Sequence, residues 1–389
     1  MRVLLTTPVF PPDLGGPATY VPSVGRFLVE RGHEVRVIAF CSDPDPQGFP
    51  FPVQAIWGGS MLGRYLRAFV AVWRTAPWAD VIYVNEHLAL LHVLAARLRR
   101  KPVVIRIMVD GSWEISHRKG WCAGDDIVTY QGKRYGWRAG LARFLQKRWW
   151  ARCSRIIACS DFLRGILMNS YSVSGEKVLR IHNAYHGPCV DEVQESPRQA
   201  RAALGLEEGP HYILTVCRLM GWKRVDGILR ALAELPGELA DTRLLVAGDG
   251  DMLEPWRQLA HELGLGERAI FLGNVPYEKI PLYMRASSAF VLNSEYEGLS
   301  HTLLEALHLG TPMIASGVCG NPEVVEDGVN GLLVDPYDHG TLREALTRML
   351  SSPEEREAFV RESLARTKRF DRTTTFSRVE EVLREAAGK

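Results

Sequence analysis

At 389 residues the chain is too long for one ordinary core and suits two domains of about 150–200 residues each. Its 46% apolar and 24% charged content excludes a disordered chain, and its seven scattered cysteines, with no CxxC pair, exclude a disulfide framework or zinc site and suit a reducing cytoplasm. The net charge of +2 conceals an asymmetry: residues 1–186 hold 25 Lys+Arg against 13 Asp+Glu, residues 187–389 hold 22 against 32, and halves so different face different partners.

No apolar run approaches the roughly 18–20 residues of a membrane-spanning helix. The apolar start Val3-Leu4-Leu5 is too short for a secretion signal and is cut by Pro8, Pro11 and Pro12, so Val3–Thr6 reads as a first strand. Gly15-Gly16-Pro17 follows it and opens a helix. Glycines there let backbone approach a phosphate or sugar closely, although a plain strand–helix turn explains Gly-Gly almost as well. Further strands follow at 35–40, 81–84, 103–108, 156–159 and 178–181, separated by helical patterns. Near-continuous apolar strands alternating with helices indicate a parallel sheet covered on both faces.

Two helical stretches stand apart by their surfaces. Residues 60–77 place Met61, Leu62, Tyr65, Leu66, Phe69 and Trp73 on one side and Arg64, Arg67 and Arg74 on another. Residues 134–152 interleave Arg138, Arg143, Lys147 and Arg148 with Trp137, Trp149 and Trp150. Either the apolar sides fill the core and the cations only solubilise, or this half docks on an anionic membrane to reach a lipid-linked acceptor.

A polar, proline-containing stretch from His186 to about Pro197 reads as a linker. Thereafter the alternation restarts, with strands at 212–216, 244–247, 270–272, 289–292, 313–315 and 332–334. Domains 1–186 and 187–370 result, each a Rossmann-like doubly wound sheet, facing a central cleft. In the second, Arg218-x4-Lys223 directly follows a strand. Downstream, Glu297-Gly298-Leu299-Ser300-His301-Thr302 leads from a strand into a helix, with Glu305 two turns on. Leu303, Leu304, Ala306 and Leu307 mark that helix as buried, so a merely solvated pair of glutamates is the weaker reading. A helix N-terminus here offers N–H groups and partial positive charge to phosphate or sugar hydroxyls. Asp249-Gly-Asp251, in a glycine-rich run after a strand, has the DxD spelling of a metal site. His182, His186 and His301 lack ligand spacing, and Cys153 and Cys159 are read as packing.

The Glu297-x7-Glu305 segment in its strand–loop–helix setting resembles glycosyltransferase family 4, and the likeness covers essentially the whole chain. Arg218-x4-Lys223 is similar to the family's diphosphate clamp. Gly15-Gly16 and Arg31-Gly-His-Glu-Val35 are similar to its first-domain loop and second strand. The run holding Asp249 and Asp251 resembles the family's tight turn near the nucleotide, and that resemblance implies no metal there. The resemblance implies a GT-B fold and a retaining, metal-independent transfer of a hexose-type sugar, with no cofactor and with a nucleoside-diphosphate sugar as donor. It also implies a glycan or lipid-linked acceptor, as in bacterial-type cell-surface glycan synthesis, in the cytoplasm or at the inner face of the membrane, and no nucleic acid partner. By the same resemblance Arg218 and Lys223 hold the diphosphate, and Glu297 a sugar hydroxyl, helped by N–H groups of Gly298, Leu299 and Ser300. His301 and Thr302 offer N–H groups to phosphate, Glu305 holds the ribose, and Asn274 and Val275 meet the base. Where many members place a catalytic histidine, this chain has Asp110 in Val109-Asp-Gly-Ser-Trp113-Glu114. Asp110 is either the catalytic substitute or a residue that caps a loop or pairs with Arg106. The terminal segment 371–389 is expected to cross back to the first domain. A sugar-nucleotide 2-epimerase and a non-catalytic sugar-nucleotide binder are the rival readings.

Overall fold

The computed structural model describes every residue except 14, 86–88, 186 and 189, so Cys189 and His186, the first residue of the expected linker, lie outside the described residues. The chain forms two units, Met1–Asn183 with Arg372–Lys389, and Ala184–Asp371. The division expected at 186/187 thus falls at 183/184, and the terminal segment belongs to unit 1.

Unit 1 runs β1 (Arg2–Thr7), α1 (Gly16–Glu30), β2 (Glu34–Phe40), β3 (Val53–Ile56), α2 (Met61–Thr75), β4 (Val81–Asn85), α3 (Ala89–Leu98), β5 (Val103–Ile107), α4 (Gly111–Arg118), α5 (Ile127–Gly132), α6 (Trp137–Trp150), β6 (Arg155–Ala158), α7 (Asp161–Asn169) and β7 (Val178–Arg180). The strands form one parallel sheet in the order β3-β2-β1-β4-β5-β6-β7. β4 and β5 are buried along their whole length, which is why they read as unbroken apolar runs. β3 escaped the sequence reading. It is a short edge strand that follows Pro50 and Pro52, with only Ile56 buried.

Unit 2 runs α8 (Pro197–Ala203), β8 (Tyr212–Val216), α9 (Val225–Ala233), β9 (Arg243–Ala247), α10 (Leu253–Glu262), β10 (Ala269–Gly273), α11 (Ile280–Ala286), β11 (Ala289–Leu292), α12 (His301–His308), β12 (Met313–Ser316), β13 (Leu332–Val334), α13 (His339–Ser351) and α14 (Pro353–Arg366). Its six parallel strands take the order β10-β9-β8-β11-β12-β13. Both units are therefore Rossmann-like, and in each the winding reverses once, at β1/β4 and at β8/β11.

The last helix, α15 (Arg372–Ala387), packs on unit 1. Its Phe376 meets the rings of Tyr20 and Phe27 edge-on at 5.7 and 5.5 Å. Its Glu380 is bonded to His33 Nε2 at 2.8 Å and accepts from Arg31 at 3.2 Å. Burial alone would raise the Glu380 carboxyl pKa, but the bonds to His33, Arg384 and Arg31 outweigh it and hold it below the ordinary value. The Arg31-Gly-His33 motif thus has a structural use: it anchors the terminal helix.

Candidate active site

Where winding reverses, the loops beyond two neighbouring strands diverge and leave a crevice at their carboxyl ends. In unit 2 those strands are β8 and β11, and the two charged segments singled out from sequence leave from them. Backbone and side chains stitch the two loops together. Glu295 N donates to Trp222 O at 2.8 Å, and Asn293 Nδ2 donates to Arg224 O at 3.2 Å. Arg224 adopts a left-handed conformation at φ 47° and ion-pairs with Glu295 at 3.0 Å and Asp226 at 3.3 Å. Gly227 permits the close approach, since a Cβ there would lie 2.6 Å from Asn293 Nδ2.

The result is a direct contact between the two expected roles: Lys223 Nζ lies 2.5 Å from Glu297 Oε1, which also accepts from Ser294 Oγ at 3.0 Å. Burial by itself would depress the Lys223 pKa, but the Glu297 carboxylate outweighs it and holds the ammonium above its ordinary value. Arg218 is exposed, and its positive charge acts on Lys223 in the opposite sense. Arg218 and Lys223 thus stand with Glu297 at the strand ends, and cations of this kind pair with a diphosphate.

Just beyond Glu297, Ser300 caps α12, its Oγ accepting from Leu303 N at 3.3 Å. The positive end of the α12 dipole therefore lies at the same strand ends, carrying the N–H groups of His301 and Thr302. The Gly298 turn is held from behind: Gly320 N donates to Glu297 O at 3.0 Å, and a Cβ on Gly320 would sit 2.1 Å from Gly298 O. Glu305 is buried on α12, and burial pushes its pKa up to about 7, against a hydrogen bond from the Tyr277 hydroxyl that works to lower it. Tyr277 follows the Asn274–Val275 loop, so the residues expected at ribose and base are linked.

The DxD segment is occupied by its own turn. Asp249 accepts from Gly250 N at 2.7 Å and Asn274 Nδ2 at 3.4 Å. Gly248, at φ 136°, lies so close to the chain after β8 that a Cβ would meet Cys217 O at 1.9 Å. Among the described residues no group of three His, Cys, Asp or Glu is placed to hold a metal ion.

In unit 1, Gly15 is the N-cap residue of α1, in the loop that follows β1, and Gly16 is the first residue of that helix. Asp110 is fully buried and caps α4. It accepts from Ser112 N and Oγ (3.0 and 2.8 Å), Trp113 N (3.3 Å), Gln131 and Gln146 Nε2 (both 2.6 Å) and the Tyr171 hydroxyl (2.7 Å). Pairing with Arg106 does not occur: Arg106 Nη2 donates instead to Ile181 O, His182 O and Asn183 Oδ1.

The sequence profile described as "Glycosyltransferase Family 4" matches residues 14–186, and that described as "Glycosyl transferases group 1" matches residues 197–366. The GDP-mannose-dependent alpha-(1-6)-phosphatidylinositol monomannoside mannosyltransferase of Mycolicibacterium smegmatis is 32% identical over 375 residues, covering 90% of each chain. The chain belongs to glycosyltransferase family 4. The alpha-monoglucosyldiacylglycerol synthase of Streptococcus pneumoniae is 25% identical, over 94% of the glycosyltransferase chain and 82% of its own. Among solved structures, Anabaena HepE in complex with UDP-glucose superposes with a TM-score of 0.79 at 22% identity, covering 99% of this glycosyltransferase and 100% of that chain, which shows the shared GT-B fold.

Several residues of the glycosyltransferase's sites carry no signal at the level of spacing. Arg224, Tyr277 and Gly320 act through contacts distant in sequence, to Glu295, Glu305 and Glu297. Arg106 did carry one, as a charge inside the apolar run of β5. Its fully buried Nε and Nη1 have no hydrogen-bond partner among the described residues, beside Asn85 Oδ1 and Thr6 Oγ1 in the same condition.

Proposed function

We propose that this glycosyltransferase is a retaining, metal-independent hexosyltransferase that takes its sugar from a nucleoside-diphosphate donor on unit 2 and passes it to a lipid-linked or glycan acceptor on unit 1. The Lys223–Glu297 contact at β8/β11 carries the reading. An arriving donor separates the pair, with Lys223 and Arg218 turning to the diphosphate and Glu297 to a sugar hydroxyl. The bond from the anomeric carbon to the phosphate oxygen breaks, and its electrons pass to that oxygen. The acceptor hydroxyl bonds to the anomeric carbon from the same face, its proton passing to the departing phosphate. Cations and N–H groups aimed at that phosphate act mainly on charge that develops in the transition state. No enzymic nucleophile is required.

The lipid-linked acceptor is supported by relatives named for phosphatidylinositol mannoside and diacylglycerol substrates, and by unit 1's surface. No described helix is long and apolar enough to cross a membrane. Yet Leu62 and Trp137 stand 70% and 74% exposed, beside exposed Arg138, Lys147 and Arg148. That combination suits contact with an anionic membrane through residues 60–77 and 134–152, at the inner face.

The test is proton NMR of the product formed from UDP- and GDP-hexoses with lipid acceptors in the presence of EDTA. Retained anomeric configuration without added metal is expected. Inversion, or activity abolished by EDTA and restored by metal, overturns the mechanism. A donor epimerised with no acceptor present assigns the chain to the epimerases instead.

A further inference from the structure

Unit 1 contains a cavity of about 420 Å³ between α2, α3, α4 and α6. Tyr65, Leu91, Ile115, Leu145 and Trp149 wall it, and Ile105 and Ile107 of β5 form its floor. The lining side chains Ser112 and Gln146 are already engaged. Ser112 Oγ is bonded to Asp110 Oδ1 at 2.8 Å and to the Tyr171 hydroxyl at 2.7 Å. Gln146 donates from Nε2 to Asp110 at 2.6 Å and accepts from Ser112 N at 2.9 Å. A polar ligand would be desolvated there with few replacement hydrogen bonds, whereas hydrocarbon loses nothing. An apolar hole of this size beside large side chains also costs stability while unfilled.

The mouth adds charge to this apolar interior. Leu62 and Ile115, both lining residues, are 70% and 47% exposed. One turn beyond Ile115, at the C-cap of α4, stands exposed Lys119. One turn before the lining residue Ala142 on α6 stands exposed Arg138. An amphiphile can place its chain in the hole and an anionic head among these cations.

We propose that this cavity holds one hydrocarbon chain of the acceptor lipid, whose head carries phosphate. The claim rests on the lipid-acceptor reading above and adds a built site for the chain. Asp110 then acts as a positioning residue. Its bonds to α4, α5 and α6, and to Tyr171 beyond α7, fix the relative placement of two of the cavity's walls.

The experiment is calorimetric titration of the whole chain with alkyl phosphates from octyl to tetradecyl, each below its micelle concentration. Affinity should rise about fourfold with each methylene, the increment expected for burying one CH₂, until the cavity is full. Ala142→Phe, which fills the hole, and Ile115→Asp, which charges its mouth, should each weaken dodecyl phosphate by about tenfold or more, equivalent to roughly two buried methylenes. Both should still bind UDP or GDP, whichever wild type binds, which certifies the fold. Ala142→Phe should also still sediment with phosphatidylglycerol vesicles, separating chain capture from surface docking. Affinity independent of chain length, or wild-type affinity in both variants, overturns the proposal. So does a concentration-dependent dimer broken by Ile115→Asp in a chain that binds no alkyl phosphate, which would assign this face to a second copy. Binding is read without turnover, so loss of this inference leaves the transfer reaction standing, and failure to transfer leaves the chain site standing.

Discussion

Unit 1 and unit 2 are both parallel sheets covered by helices, yet their surfaces differ. Of fifteen large apolar side chains exposed among the described residues, thirteen lie in unit 1 and two, Tyr277 and Tyr337, in unit 2. Unit 2 closes its apolar surface into its own core and leaves paired charges at the β8/β11 ends, a surface for a small, polar, anionic ligand. Unit 1 leaves apolar side chains of α2, α3 and α6 in water beside its cations. Exposed apolar surface on this scale marks a binding face, and the proposed partner for it is amphiphilic. On the proposed reading the same fold would serve a nucleotide in one half and a lipid in the other, because helix faces and strand-end loops, not the sheet, meet the ligand.

The contrast is broken most severely by removing the clamp. Lys223→Ala should lower turnover by two or more decades, about 3–4 kcal/mol for a lost electrostatic contact in the transition state, in a variant whose circular dichroism is unchanged. Near-normal turnover would remove unit 2's charges from the chemistry. In unit 1 the largest expected effect is on stability. Asp110→Asn replaces an acceptor of six hydrogen bonds with an amide that turns a donor toward some of them, and a loss of about 3 kcal/mol should lower the melting temperature by several degrees. Reduced transfer with an unchanged melting temperature would show instead that Asp110 touches the reacting groups.

The surface contrast predicts that Leu66→Asp with Phe144→Asp detaches the protein from phosphatidylglycerol vesicles in a co-sedimentation assay. Wild-type binding should fall steeply with salt, each cation near the surface contributing about 1 kcal/mol. Equal, negligible binding of wild type to anionic and neutral vesicles at low salt would leave unit 1's apolar face unexplained by a membrane.

The smallest effect expected is a pH dependence in unit 2. The Glu305 pKa of about 7 lies above its ordinary 4.5, so the folded chain keeps a proton that the unfolded chain has released. The associated stability is complete below about 4.5 and is lost as pH rises through 7. Ribose hydroxyls donate best to the ionised carboxylate, so donor binding expels this proton. Donor affinity should therefore rise severalfold toward pH 7 and then level off, and Glu305→Gln should flatten the profile. An unchanged profile in that variant would remove Glu305 from the ribose.

The alternating apolar runs made twelve of the strands legible, most plainly β4 and β5, whose burial along their whole length leaves an unbroken hydrophobic signature. β3 was hidden, since a four-residue strand with one buried residue has no such signature. Lys223 and Glu297 were singled out by their positions after strands and by the family resemblance, but their contact was not, because it depends on β8 and β11 being neighbours, a matter of winding order rather than spacing. Asp110 illustrates a second limit. The sequence marked a polar residue after β5 but could not show Gln131, Gln146 and Tyr171 converging on it. The amphipathic pattern of α2 and α6 likewise could not tell which apolar residues stay outside. Trp150 is buried while Trp137 on the same helix is not.

The central claim is that Lys223 serves the diphosphate and Glu297 the sugar. It is tested most directly by calorimetric titration of Glu297→Gln and wild type with the nucleoside diphosphate and with the matching sugar nucleotide. The account predicts that the variant binds the diphosphate at least as well as wild type, because Lys223 is released from its ion pair, and loses affinity selectively for the sugar-bearing donor. An equal loss of affinity for both ligands would contradict it.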